Sequence, residues 1–216
     1  FYALQRYKKI LSQRNALLKD ENRALVLDTL PIWDESLTTA GAKVIFERNA
    51  FIARLSPLCE QAYSAISGGK EHIEVEGEQK FFGSEAEIKE QFTSALALRA
   101  ERDIDLGYTS VGPHRDDLKI KVDGTEVKTY GSQGQQRTAA LALKLAETEI
   151  FKEKFGEYPV LILDDAMSEL DRSRRLRLID MVKKFQTIIT CTEPDCIPDY
   201  QRYKNICVSG GKIIKE

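Results

Sequence analysis

The 216-residue chain is 42% hydrophobic and has a formal net charge of −2. It is therefore long enough for one large domain or two modest ones, and its total charge neither favours nor excludes a nucleic-acid partner. The chain shows no signal-peptide pattern and no run approaching the roughly 18 uninterrupted apolar residues of a membrane-spanning helix, so we expect a cytoplasmic protein with no membrane partner.

The first part of the chain is predicted to be mainly helical. Apolar residues at helical spacing predict three helices, over residues 3–28, 36–66 and 84–103. The first of these is expected to end near Pro31, because proline breaks helices. Ser84 and Glu87 match the capping-box pattern at the start of the third helix. We therefore predict a helical arm domain over residues 1–104.

The second part, residues 105–216, is predicted to be an α/β domain. An alternating strand over 118–122 is followed by Asp123-Gly124, a strong signal for a two-residue hairpin turn, and then by a strand over 125–129. The later predicted elements are helices over 133–155 and 172–185, strands over 160–163 and 187–190, and a hairpin over 205–209 and 212–214. This alternation predicts a parallel sheet with crossover helices.

A polar segment from Gly131 to Arg137 lies at the start of the predicted helix 133–155 and suits a phosphate. Ser132 supplies a hydroxyl, Gly134 leaves backbone N–H groups accessible, and the helix N-terminus favours an anion. Ser132 could also serve only as the N-cap of this helix. The segment is thus a candidate nucleotide contact with a structural alternative.

An apolar strand that ends in two carboxylates is the second candidate site. Residues 160–163 precede Asp164 and Asp165, and open α/β sheets bind ligands at such strand ends. In phosphate chemistry the first acid holds Mg²⁺, usually through water, and the second orients or deprotonates the attacking water. Asp171 can cap the following helix. Taken alone, such a strand is equally compatible with a structural role.

Basic residues cluster in the first helix and directly after the acids. The candidates for DNA binding are Arg6, Lys8, Lys9, Arg14, Arg172, Arg174 and Arg175. Each cluster could instead be a solvated helix face. If these residues bind DNA, they would do so through phosphates and with little sequence preference.

Together these motifs resemble those of a known family. Ser132-Gln133-Gly134-Gln135 looks like the signature motif of ABC-type ATPases, Asp164-Asp165 like the Walker B acids, and Ser168 to Asp171 like the D-loop. More closely, the chain resembles the RecF family, bacterial recombination and gap-repair ATPases related to the SMC proteins. The segments that carry this resemblance are 13–19, 112–118, 131–137 and 140–147.

Three departures accompany the resemblance. The chain lacks the phosphate-binding loop G-x-x-x-x-G-K-[ST], so we expect it to correspond to the C-terminal part of such a protein and to be inactive as an ATPase by itself. Position 165 is aspartate, where many ABC ATPases have glutamate. The residue that senses the γ-phosphate is left open among Thr190, Cys191 and Thr192.

The resemblance implies an ABC/SMC-type ATPase half joined to a helical arm, in a full-length protein that hydrolyses ATP with Mg²⁺. It implies that ATP drives homodimerisation, because the signature segment of one protomer closes over the γ-phosphate bound to another. The residues given this role are Ser132, Gln133, Gly134 and Gln135, with Ser168 and Asp171 in the D-loop.

The resemblance also implies binding to duplex and gapped DNA, and work with RecO and RecR to load recombinase onto single strands. His114 and Arg115 would lie near the ATPase interface, although a hydrogen-bond network is the structural alternative for this pair. Two other functions are kept open: another ABC-type ATPase, and a non-catalytic module for dimerisation and for DNA or partner binding.

Overall fold

A helix of 45 residues, Arg23–Ser67, runs through both of the units into which the chain divides. The computed structural model describes residues 2–193, 196–197 and 199–215. The first unit comprises Phe1–Ala53 and Glu76–Lys119, and the second comprises Arg54–Val75 and Ile120–Glu216. Both units are discontinuous because the long helix begins in one and ends in the other. This division differs from the single cut after residue 104 that the sequence predicts.

Helices dominate the first half of the chain, and helices alternate with strands in the second. The helices are α1 Tyr2–Leu17, α2 Arg23–Ser67, α3 Glu85–Ala97, α4 Ala100–Leu106, α5 Val127–Tyr130, α6 Gln133–Phe155 and α7 Arg172–Val182. The strands are β1 Ile73–Gly77, β2 Leu118–Val122, β3 Thr125–Glu126, β4 Leu161–Asp164, β5 Thr187–Thr190, β6 Cys207–Ser209 and β7 Lys212–Lys215. Among the described residues, no helix is both long enough and apolar enough to cross a bilayer.

The first predicted helix ends earlier than expected, and the second begins earlier. α1 stops at Leu17 and α2 starts at Arg23. Between them, short polar side chains bind backbone groups: Asp20 Oδ1 accepts from the Asn22 N–H at 2.8 Å, and Asn22 Oδ1 accepts from the Leu25 N–H at 3.2 Å. These bonds compete with a continuous helix and cap the start of α2.

The predicted helix end near Pro31 is wrong, because α2 continues through Pro31. A proline inside a helix costs about 3 kcal/mol. Large side chains of α2, including Leu37, Ile45 and Tyr63, are fully or almost fully buried. Each such burial contributes about 1.5–3 kcal/mol, so packing offsets the local cost of the proline.

The core of the first unit is apolar and is formed largely by α1, α2 and α3. Tyr7, Leu37 and Phe92 are among its fully buried members. The predicted capping box of α3 is confirmed: Ser84 Oγ accepts from the Glu87 N–H at 3.3 Å, and a Glu87 carboxylate oxygen accepts from the Ser84 N–H at 2.7 Å. α3 is shorter than predicted, and α4 follows as a separate helix.

Arg14 joins separate parts of the first unit from a fully buried position. Its guanidinium donates to Asp34 Oδ1 at 2.6 Å, to Asp103 Oδ2 at 2.9 Å and to Thr109 Oγ1 at 2.8 Å. The side chains of Arg14 and Asp103 are both 0% exposed. This corrects the prediction that Arg14 contacts DNA, since its side chain has no exposed surface to offer a phosphate.

The second unit packs helices against a short parallel sheet. β4 and β5 run parallel, with Asp164 opposite Thr190, which confirms the predicted parallel pairing. The core side chains include Tyr63 and Ile66 of α2, Ala142 and Ala146 of α6, Leu163 of β4 and Leu178 of α7. α6 has the bounds predicted for it, Gln133–Phe155. One apolar core therefore holds α6, β4 and α7 together.

The predicted hairpin turn at Asp123-Gly124 is confirmed. Val122 pairs with Thr125 across it, and the φ angles of Asp123 and Gly124 are 49° and 76°. Both angles are positive, as this type of two-residue turn requires. The strand after the turn is shorter than predicted, because β3 covers Thr125–Glu126 and α5 follows directly.

Replacing Arg14 with alanine is expected to destabilise the protein severely. The change leaves the buried carboxylate of Asp103 without its cationic partner, so we expect the free energy of unfolding to fall by about 3–5 kcal/mol. Urea denaturation measures this loss. Arg6→Ala is the matched control on the exposed face of the same helix, with an expected change within about 0.5 kcal/mol. Equal, small losses in both variants would contradict the role given to Arg14.

Candidate functional site

Strand β4 presents two acids at its C-terminal end. Leu161 and Leu163 are buried in the core of the second unit, whereas Asp164 and Asp165 are exposed. The alternation of buried and exposed positions thus anchors the strand and leaves its last residues open to solvent. The structure therefore places both predicted acids at the sheet edge where ligands of parallel sheets bind.

The hydroxyl of Thr190, at the end of the neighbouring strand β5, ties the two acids together. It donates to Asp164 Oδ1 at 2.5 Å and accepts from the Asp165 N–H at 3.1 Å. The sequence leaves open which of Thr190, Cys191 and Thr192 senses the γ-phosphate. The register of β4 against β5 selects Thr190 as the one that bonds both acids.

Asp165 has an unusual backbone conformation. Its φ angle is 47°, in the left-handed region that most side chains avoid at a cost of about 1–2 kcal/mol. Asp and Asn tolerate this region better than other non-glycine residues. The Ser168 hydroxyl donates to the Asp165 carbonyl at 3.2 Å and closes the turn. This conformation gives a physical reason for aspartate rather than glutamate at position 165.

The segment 131–137 forms the capped N-terminus of α6. Ser132 Oγ accepts from the Gln135 N–H at 3.2 Å, and Gln135 Oε1 accepts from the Ser132 N–H at 3.0 Å. The structural alternative, Ser132 as an N-cap, is therefore confirmed. Ser132 and Gln133 are exposed, so the same cap leaves the start of α6 open to an anion.

Arg174 and Glu71 lie behind this segment. A Cβ atom at Gly134 would come within 2.9 Å of Arg174 Nη1, so a larger residue there would displace the arginine. Arg174 in turn donates to Glu71 at 2.5 Å, and Gln135 Nε2 donates to the same carboxylate at 2.9 Å. No sequence signal points to Glu71, which belongs to no motif and is 103 residues from Arg174.

The arginines of α7 hold the segment that resembles the D-loop. Arg175 Nε donates to the Leu170 carbonyl at 2.8 Å and its Nη2 to the Ser168 carbonyl at 3.3 Å. Asp171 caps α7, as predicted, by accepting from the Arg174 N–H at 3.0 Å. Both guanidinium groups are thus engaged within the protein and are partly buried, and the DNA-binding role of Arg174 and Arg175 stays a prediction.

A direct link also joins α6 to the D-loop. Arg137 Nε donates to Glu169 Oε2 at 2.9 Å. The two side chains are 38% and 44% exposed, so the pair contributes little to stability. It nevertheless links Glu169 to the N-terminal part of α6.

His114 and Arg115 lie in the first unit and form an internal hydrogen-bond network. His114 Nδ1 accepts from the Tyr7 hydroxyl at 2.7 Å, and its Nε2 donates to the Thr109 carbonyl at 3.1 Å. Burial lowers the pKa of His114, which favours this neutral form. Arg115 also donates to the Thr109 carbonyl and stacks 4.7 Å from the centre of the Tyr108 ring. Their role at an ATPase interface stays a prediction.

The other predicted DNA contacts are accessible. Arg6, Lys8 and Lys9 are exposed on α1 in the first unit, and Arg172 is exposed at the start of α7 in the second. These four residues remain candidates for phosphate contacts.

The acids of β4 fit Mg²⁺ bound together with phosphate. This ion takes one or two carboxylates and fills its remaining positions with water and phosphate oxygens. Among the described residues there is no group of three or more His, Cys, Asp or Glu side chains that could enclose a metal by themselves. An exposed pair such as Asp164 and Asp165 suits a shared metal and nucleotide site better than a closed metal site.

Comparison with known proteins identifies relatives of this chain. No protein-family model matches the chain. Curated relatives named DNA replication and repair protein RecF are 38–48% identical to it. The relative from Lachnoclostridium phytofermentans is 48% identical over 188 residues, which is 86% of this chain and 50% of the relative. The relative from Ruminiclostridium cellulolyticum is 44% identical over 90% of this chain and 54% of the relative.

A solved structure described as the recombination mediator protein RecF-ATPrS in the RecFOR pathway has the same fold. It superposes with a TM-score of 0.81 at 37% identity, over 99% of this chain and 57% of that protein. The chain thus spans about half the length of the proteins it matches. In sequence and in fold, it belongs to the RecF family and matches the C-terminal half of RecF.

Proposed function

We propose that the full-length protein is an ABC-type ATPase of DNA recombination and repair, which binds ATP with Mg²⁺ and dimerises on it. The observation that carries this proposal is the pair of acids at the end of β4, held by Thr190, in the same compact unit as the capped signature segment. Two acids bind a metal ion and an open helix N-terminus binds phosphate, so these groups supply part of a site for a metal-bound nucleotide. The RecF relatives and the nucleotide-bound RecF structure support it.

In this proposal the residues of the site have separate tasks. Asp164 would hold Mg²⁺ through water, and a bound Mg²⁺ would neutralise charge on the phosphates. Asp165 orients and deprotonates the attacking water, and the Thr190 hydroxyl keeps both acids in position. Ser168 closes the turn that fixes the backbone of Asp165.

The signature segment acts on the nucleotide of a second protomer. Ser132, Gln133, Gly134 and Gln135 face the γ-phosphate across the dimer. A nucleotide held between two protomers binds the closed state alone, so it shifts the monomer–dimer equilibrium by its difference in affinity. Hydrolysis removes this bridge and returns the protein to monomers.

DNA binding and recombinase loading depend on the same ATP-dependent dimerisation. Closed dimers bring together two copies of each exposed basic residue, Arg6, Lys8, Lys9 and Arg172, which bind duplex and gapped DNA through phosphates. The protein then works in the cytoplasm with RecO and RecR to load recombinase onto single strands. The resemblance to the RecF family, rather than the site geometry, supports this last step.

Substitutions at Ser132 separate the capping role from the nucleotide role. Asn and Asp are similar in size, and both cap helices well, so Ser132→Asn and Ser132→Asp should each change the free energy of unfolding by at most about 0.5 kcal/mol. The added charge of Ser132→Asp should repel the γ-phosphate and prevent ATP-dependent dimerisation of the full-length protein. Sedimentation with and without ATP measures this, with Ser132→Asn as the control. If the two variants dimerise identically, the segment serves only as the capped start of α6 and does not contact the nucleotide.

Removing the Thr190 hydroxyl is expected to slow ATP hydrolysis by the full-length protein. A hydrogen bond to a charged group contributes about 1.5–3 kcal/mol, so Thr190→Val should lower the rate about tenfold or more, and Thr190→Ser should retain it. Thr187→Val is the matched control, because the Thr187 hydroxyl bonds the Val182 and Phe185 carbonyls instead of the acids. Phosphate release measures the rates. Equal rates in the two valine variants would show that Thr190 does not position the acids.

The exposed α1 residues are expected to contribute to DNA affinity through charge. Replacing Arg6 and Lys9 with alanine should weaken duplex binding by the full-length protein and reduce the slope of log affinity against log salt by roughly 0.9 for each lost phosphate contact. Fluorescence anisotropy over a salt series measures both effects. Gln13→Ala, an exposed neutral change on the same helix, is the control. An unchanged slope would exclude α1 from the DNA-binding surface.

A further inference from the structure

Glu71 receives hydrogen bonds from three helices of the second unit. The Tyr63 hydroxyl of α2 donates to it at 3.3 Å, Gln135 Nε2 of α6 at 2.9 Å and Arg174 of α7 at 2.5 Å. Its side chain is 18% exposed and that of Arg174 is 17% exposed. Burial and the charge of Glu71 raise the pKa of Tyr63, so the hydroxyl stays protonated and donates. Glu71 is thus a partly buried acceptor that joins three helices.

One of these bonds fixes the signature segment. The side-chain amide of Gln135 uses Nε2 to donate to Glu71, while its Oε1 accepts from the Ser132 N–H at 3.0 Å. An amide group bonded at both ends has a single orientation. By accepting from Nε2, Glu71 turns the oxygen of the Gln135 amide towards the Ser132 N–H. Glu71 therefore stabilises the capping box through Gln135.

Another bond reaches the D-loop. Arg174 lies within 3.6 Å of the Asp171 carboxylate, and Asp171 caps the helix that carries Arg174. The same guanidinium lies against Gly134, where a Cβ atom would come within 2.9 Å of Nη1. Glu71 and Arg174 consequently connect the signature segment to the last residue of the D-loop.

We propose that Glu71 is a positioning residue that holds the signature segment and the D-loop in the single arrangement required to close over a partner protomer's nucleotide. This proposal rests on the proposed function. Glu71 itself contacts no nucleotide and acts through Gln135 and Arg174. If the ion pair of Glu71 and Arg174 served stability alone, its loss would destabilise the whole second unit. The signature segment would then be affected no more than other parts of that unit.

The test compares Glu71→Gln with Glu60→Gln in the full-length protein. Glutamine keeps the size of Glu71, but it offers one acceptor oxygen in place of two and turns an N–H group towards a donor. Glu60 is a matched control in the same unit: it bonds His72 Nδ1 at 3.0 Å and the Ile73 N–H at 2.9 Å, and those partners lie outside the signature segment and the D-loop. Thermal unfolding records the loss of stability in each variant.

Two measurements then separate positioning from stability. Glu71→Gln should weaken ATP-dependent dimerisation about tenfold, the effect of losing about 1.4 kcal/mol, and should speed hydrogen exchange at the Ser132 and Gln135 amides by a similar factor. Glu60→Gln should leave both unchanged. Equal effects of the two variants on dimerisation and on exchange would overturn the proposal.

Failure of the proposed function would be recognised separately. If the wild-type protein does not dimerise with ATP, the proposed function is wrong, whatever the variants do. Hydrogen exchange without nucleotide still decides whether Glu71 holds the signature segment, since faster exchange at Ser132 in Glu71→Gln alone supports that role and unchanged exchange overturns it.

Discussion

The shared apolar core of the second unit is the constraint on which the candidate site depends. Ala142 of α6, Leu163 of β4 and Leu178 of α7 are all buried in it. A buried leucine contributes about 1.5–3 kcal/mol, more than most single polar contacts, so the core determines where the start of α6, the end of β4 and the start of α7 lie. The hydrogen bonds of the site then set the orientation of side chains that packing has already brought together.

Polar contacts give the site its preorganised geometry. Thr190 bonds both acids, and Asp165 is held in a left-handed conformation that costs free energy and persists because its surroundings enforce it. Glu71 and Arg174 hold the signature segment in position, as Thr190 holds the two acids. Because these groups are ordered in advance, nucleotide binding does not have to supply the free energy of ordering them.

Local signals predicted the parts of the fold that short stretches of sequence determine. The capping box at Ser84, the turn at Asp123-Gly124 and the bounds of α6 depend on residues within a few positions of each other, and all three are confirmed. The course of α2 through Pro31 was not predictable in this way, because the burial that offsets the proline comes from distant residues.

The arginines show the same limit of prediction from sequence. Charge clustering marked Arg14, Arg174 and Arg175 as DNA contacts, but their partners are far away in sequence or are backbone carbonyls. A pattern of charges reports which residues are basic, not which of them are buried. The acids and the signature segment were predicted because their chemistry is contained in contiguous motifs, whereas Glu71 belongs to none.

In the proposed mechanism two protomers form each nucleotide site, with Asp165 on one and Ser132 on the other. Mixing two inactive full-length variants, Ser132→Asp and Asp165→Asn, and measuring ATP hydrolysis tests it most directly. In an equimolar mixture that forms two-fold dimers, half of all dimers contain one copy of each variant, and each of these has one intact site of two, so the mixture should recover up to about a quarter of the wild-type rate. If the mixture is no more active than either variant alone, Asp165 and Ser132 do not act across a dimer, and the proposed mechanism is wrong.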